Sequence, residues 1–181
     1  KELKDFKNVE IIENSKDYSY QGILSGLEMI KDYVSNDDKF IIFLADEFFE
    51  KKDFNKFCNQ ALSTKEDEIL VAVKKFDFPF EYFKNYSVSL DEEKKIILDS
   101  FEKNSQIVSD YFGTGLMCLN SELFEVLKKN SNEKPFYSLI NMFNKPFFFK
   151  LDNYININTK VDIYNLQKKL NDSANLKVDV V

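Results

Sequence analysis

Two stretches of this chain, "FIIFL" at 40–44 and "ILVAV" at 69–73, are apolar at every position. A strand with one wet face alternates apolar and polar residues, whereas a strand buried on both faces does not. Each run therefore needs cover on both sides, which helices packed on both faces of a sheet provide. Between the two runs, "DFNKFCNQAL" puts Phe54, Phe57, Cys58 and Ala61 on one helical face. Upstream, Ile23, Leu27, Ile30 and Val34 repeat that spacing after a short strand candidate, "VEII". The order β-α-β-α-β predicts an α/β fold with a mostly parallel sheet and "FIIFLA" at its centre.

The second half changes character. "YSVSLDEEKKIILDSFEK" reads as two strands around a charged turn at 91–95, and "YFGTGLMCLN" as a further strand. "SELFEVLKK" is a helix capped by Ser121 with Glu122 in its first turn. "PFYSLINMF" is a short helix begun by Pro135, and "FFFKLD" is a strand. In "NTKVDIYNLQKKL", Thr159 and Asp162 make a capping box, and Ile163, Leu166 and Leu170 supply the helix face. Just before it, Asn156 and Asn158 alternate with Ile155 and Ile157, so one strand face carries two amides. With no internal repeat and no Gly/Ser-rich linker, one domain over 1–181 is expected.

Composition removes several chemistries. The chain has no histidine, which excludes Ser-His-Asp and Cys-His catalysis within it and any histidine-ligated metal. A formal charge of −6 lacks the basic footprint of nucleic-acid binding. Cys58 and Cys118 sit in apolar-periodic segments and read as reduced, buried thiols. No apolar run reaches membrane-spanning length, and "KELKDFKNVEII" lacks a signal-peptide core. No membrane partner is expected, and a cytoplasmic location is.

Carboxylates, amides, lysines and backbone groups must then carry any chemistry. "FIIFLADEFF" ends its apolar run on Asp46 and Glu47 before resuming with two phenylalanines. Ligands gather beyond the carboxyl ends of strands in open α/β sheets. An acid there either caps the next element or holds a metal beside a phosphate. All four glycines lie in "YQGILSGL" and "YFGTGL". They read as helix–sheet contact and a bulge, or as places where a ligand nears the backbone.

In their order, "YQGILSGL", "FIIFLADEFF", "FEKN", "YFGTGLMCLNSELF" and "YININTKVDI" resemble the sugar-1-phosphate nucleotidyltransferases. The resemblance runs from Gln21 to Leu170 and implies a Rossmann-like, GT-A type three-layer sandwich. It implies that Asp46 and Asn156 hold magnesium, Asn156 standing as an amide where many members have aspartate. It places Gln21 and Gly22 by the nucleobase, Glu102 on sugar hydroxyls, Lys103 on the sugar phosphate, and Thr114 and Gly115 along the sugar side. Ala45 replaces the glycine usual before the metal aspartate, and Asn104 the proline usual after Glu-Lys.

The family's Gly-rich loop, which cradles the triphosphate with backbone N–H groups, has no counterpart before Gly22. A fragment lacking its first βα unit is the expectation, inactive or nearly so by itself. The implied reaction transfers a nucleoside monophosphate from a nucleoside triphosphate to a sugar 1-phosphate and releases pyrophosphate. A phosphocholine-type nucleotidyltransferase, a GT-A glycosyltransferase and an inactive nucleotide- or sugar-binding domain are the alternatives; a homo-oligomer is left open. Asp46 and Asn156 should lie within about 12 Å of each other, the reach of a nucleotide-sized pocket. Glu47, one residue on, should point elsewhere, so that Glu47→Gln is mild.

Overall fold

The computed structural model describes residues 26–27, 29–35, 39–65, 68–77, 81, 85–101, 108–129, 136–143 and 146–175. Their elements, in chain order, are β1 (Lys39–Ile42), β2 (Glu47–Phe49), α1 (Lys51–Ser63), β3 (Ile69–Lys75), β4 (Ser87–Asp91) and β5 (Ile96–Phe101). They continue as β6 (Tyr111–Asn120), α2 (Glu122–Lys129), β7 (Pro146–Lys150), β8 (Tyr154–Asn156) and α3 (Lys160–Asn175). Short 3-10 turns span Lys31–Tyr33 and Phe136–Met142. The expected strand "VEII" and the start of the first expected helix lie outside the described residues, and the described end of that helix carries the 3-10 turn Lys31–Tyr33.

The unbroken run of β3 does what it predicts, whereas "FIIFL" is only half-buried and Phe43 is exposed. Ile69, Val71 and Val73 of β3 enter one core, with Met117 and Leu119 of β6 and Leu123, Phe124 and Leu127 of α2. Leu70 and Ala72 point the other way, into a second core with Leu116 and Cys118 of β6 and Phe57 and Ala61 of α1. Two cores on opposite faces of one sheet make three layers. Phe57, Leu70, Leu116 and Leu123 are fully buried, and each contributes about 1.5–3 kcal/mol by leaving water.

The main sheet has the order β1-β6-β3-β7-β5-β4. Strands β1, β3, β4 and β7 run one way, and β5 and β6 run the other. Most strands thus share a direction, yet among the described pairs only β3–β7 are parallel neighbours. The cause is β6, which inserts antiparallel between β1 and β3. For the same reason β1 ends the described strand order instead of occupying its centre. A period-2 pattern reports burial and says nothing of which strand lies alongside.

Local chemistry fixes the joints. Gly113 faces the ring of Tyr86 so closely that a Cβ there would overlap it, while the Tyr86 hydroxyl donates to Thr114 O at 2.9 Å. The β3–β6 register shifts at this point, between Val71 and Val73, so the glycine stretch does carry an irregularity. Asn120 Oδ1 accepts from Glu122 N–H at 3.1 Å where α2 begins. Lys39 Nζ donates to Thr64 O and to Thr64 Oγ1 (2.9 Å), placing a cation by the C-terminal end of α1, the negative end of its dipole. The Thr159–Asp162 box is complete. Asp162 Oδ2 accepts from Thr159 N–H at 2.7 Å and from its hydroxyl at 2.8 Å, and Asp162 N–H donates back to Thr159 Oγ1 at 3.3 Å. Asn158 N–H also donates to Asp162 Oδ2 (3.1 Å), so Asn158 belongs to this cap.

Two substitutions should move stability in opposite directions. Thr159→Ala removes the cap and should cost about 1 kcal/mol in urea unfolding. Lys95, in the turn between β4 and β5, has φ 57°, a left-handed conformation that glycine adopts without penalty. Lys95→Gly should therefore raise the urea midpoint, by about 0.5–1 kcal/mol in stability; a fall would refute the strain.

Candidate functional site

Past Ile42 the chain leaves the main sheet and turns, with Glu47 N–H donating to Leu44 O at 3.2 Å. It then pairs antiparallel with β8 in a small separate sheet, in the register Glu47↔Asn156, Phe48↔Ile155 and Phe49↔Tyr154. Ile157 N–H donates to Asp46 O at 2.7 Å. That bond flanks the Glu47/Asn156 pair, which is therefore a non-hydrogen-bonded pair whose side chains stand close on one face. Asp46 lies opposite Ile157, so Asp46 and Asn156 are diagonal neighbours across the two chain segments. The structure thus brings these two residues together, far inside a nucleotide's reach.

Asp46 is exposed. Among the described residues its carboxylate has no hydrogen bond or ion pair, so it does not act as a cap. Asn156 Oδ1 is buried and has no hydrogen-bond partner. Asp46 thus offers a bare carboxylate to solvent, and Asn156 a bare amide oxygen on the buried side that faces Glu47.

Glu47 points away from the exposed Asp46 side chain, as expected, but into the protein and across from Asn156. Its Oε1 accepts from Gly115 N–H at 2.7 Å and from the Tyr154 hydroxyl at 2.8 Å. Its Oε2 is buried and has no partner. Burial pushes the Glu47 carboxyl above the usual glutamate range, and the Asp46 charge adds to the rise; the hydrogen bonds from Gly115 and Tyr154 oppose it. Burial likewise raises the hydroxyls of Tyr86 and Tyr154, helped by the Glu47 charge, so both remain protonated donors. The signal lay in the alternation: a strand that starts at Glu47 puts Glu47 and Phe49 on one face.

Gly115 is needed here for space. A Cβ on it would overlap Leu44 and come within 3.0 Å of Glu47 Oε2. Thr114 is 1% exposed; its hydroxyl donates to Ala72 O at 3.0 Å and accepts from Leu116 N–H at 3.2 Å. The Thr114 hydroxyl and the Gly115 amide are thus engaged inside the protein, and this stretch supports the site by holding Glu47. Gln21, Gly22, Glu102 and Lys103 lie outside the described residues.

Two further contacts hold the small sheet in place. Buried Asp53, in the first turn of α1, accepts from the N–H groups of Asp152 (3.1 Å) and Asn153 (3.2 Å), pinning the turn that leads into β8. Phe49 stacks on Phe54 with ring centroids 5.6 Å apart, and Phe43 meets both rings edge-on. Phe49, after the acids, thus binds β2 to α1. Among the described residues no group of three or more Cys, Asp or Glu is placed to cage a metal. No described helix is long and apolar enough to cross a membrane.

Neither a family model nor a curated protein matches the sequence. Solved structures do match the fold. The inositol-1-phosphate CTP transferase from T. maritima superposes with a TM-score of 0.67 at 19% identity, covering 87% of this chain and 65% of that one. UTP-bound UGPase from Acinetobacter baumannii gives 0.68 at 12%, covering 89% and 63%. A UDP-glucose pyrophosphorylase complexed with UDP-glucose gives 0.67 at 17%, covering 84% and 62%. The chain therefore spans less than two thirds of the length of each. Its three-layer architecture is the Rossmann-like fold of the sugar-phosphate nucleotidyltransferases.

Proposed function

We propose that this chain is the substrate-binding and catalytic part of a magnesium-dependent nucleotidyltransferase. It would pass a nucleoside monophosphate from a nucleoside triphosphate to a sugar 1-phosphate, giving a nucleoside-diphosphate sugar and pyrophosphate. The observation that carries this reading is the Ile157 N–H to Asp46 O bond, which holds the Asp46 turn against the end of β8, one residue from Asn156. The shared fold with nucleotide- and sugar-phosphate-handling enzymes supports it.

The residues present fit magnesium. Asp46 offers an exposed carboxylate and Asn156 an oxygen without a partner. Magnesium takes hard oxygen ligands, usually one or two from protein, and fills its octahedron with phosphate oxygens and water. Two such residues therefore suffice where a full cage is absent. A metal bound there would supply positive charge to offset that developing on the phosphates. The chain's own part is positioning: β1 and β6 set the turn, and β8 brings Asn156 to it. The sugar phosphate is already ionised at neutral pH, so the absence of histidine is no obstacle. Lys103 and Glu102 are assigned to the sugar phosphate and sugar hydroxyls on the sequence resemblance alone, as are Gln21 and Gly22 to the base. A cytoplasmic location accords with soluble, phosphorylated substrates.

The test is a screen of the complete protein against the common nucleoside triphosphates paired with sugar 1-phosphates, with phosphocholine as a further acceptor, reading pyrophosphate release. Asp46→Asn should lower turnover at least about 100-fold, since a metal's charge is worth several kcal/mol in such transition states. Its melting temperature should stay close to that of the wild type, because the Asp46 side chain supports no described contact. Equal turnover of Asp46→Asn and wild type at saturating magnesium would refute the metal reading. Turnover of no pair by the folded protein would refute the activity.

A further inference from the structure

Glu47 Oε2 and Asn156 Oδ1 are the buried side-chain atoms left without partners among the described residues, and they belong to residues that face each other across β2 and β8. Two bare acceptors on one close cross-strand pair are costly, because a buried polar atom with no hydrogen bond loses its water and gains nothing. A half-turn of the Asn156 amide removes the conflict. It exchanges oxygen for nitrogen with almost no change of shape, and the amide carries two donors. In that orientation Nδ2–H faces Glu47 Oε2 and Oδ1 faces away from it.

We propose that Glu47 is a positioning residue that orients the Asn156 amide, and that the carboxylate at 47 is the reason an amide stands at 156. Glu47 is itself held by Gly115 N–H and the Tyr154 hydroxyl on Oε1, so Oε2 is presented from a fixed mount. An aspartate at 156 would set two carboxylates on one close pair, where like charges repel. Asp46 would bring a third beside them. An amide keeps an oxygen for the cation and gives a donor to Glu47. In orienting a cation ligand, Glu47 rests on the reading of Asp46 and Asn156 under Proposed function; the pairing of 47 with 156 does not.

The experiment is a double-mutant cycle on the complete protein, read by melting temperature in EDTA and again across a magnesium titration. In EDTA, Asn156→Asp should melt about 5 °C lower than wild type. Glu47→Gln combined with Asn156→Asp should recover most of that loss, since the introduced glutamine amide can donate to the introduced carboxylate. Glu47→Gln alone keeps an acceptor for Gly115 and Tyr154 and should melt near wild type. Its new N–H would draw Asn156 Oδ1 inward, so it should need about 10–100-fold more magnesium for the same upward shift in melting temperature. The double variant should return to the wild-type requirement.

Additive losses in EDTA would overturn the pairing, as would unchanged magnesium dependence in Glu47→Gln if the wild type responds to magnesium. Should Asn156→Asp alone not fold, a folded double variant supports the pairing and an unfolded one overturns it. Coupling in EDTA without any magnesium response in the wild type would keep the pairing, overturn Glu47's role in orienting a cation ligand, and remove the metal reading instead.

Discussion

Strand β6 is the constraint on which the remaining structure depends. It is buried from Phe112 to Asn120, pairs with β1 on one side and β3 on the other, and reaches β4 at its start. Its alternate side chains feed both cores. A strand so placed cannot shift by one residue without exchanging Met117 and Leu119 for Leu116 and Cys118 across the sheet. The position of Gly115 is thereby set, and with it the backbone N–H that Glu47 Oε1 accepts from.

The small sheet has little stability of its own, since two strands of three residues do not fold alone. It is held from three directions. Gly115 of β6 takes Glu47, Asp53 of α1 takes the turn before β8, and Phe54 of α1 stacks on Phe49. A site whose two proposed ligands sit on such a sheet is only as well placed as these anchors. Glu47, a residue with no role of its own in the sequence pattern, is what ties β2 to β6 and to Tyr154 of β8.

The sequence by itself determined the layers and the joints. Apolar runs at β1 and β3, helical spacing in α1, the hairpin around 91–95 and the Thr159–Asp162 box are local signals, each readable within a few residues. The approach of Asp46 to Asn156 was legible only through the order of the motifs, since 110 residues separate the two positions (156 − 46). Tertiary structure alone decided that β6 lies between β1 and β3, because strand adjacency is set by long-range packing that no period encodes. It alone decided that Gly113 and Gly115 make room for Tyr86, Leu44 and Glu47, and that Glu47 turns inward. Which of two adjacent acids faces the protein depends on where a strand begins, and β2 begins at Glu47 only because β8, from the far end of the chain, is there to pair with it.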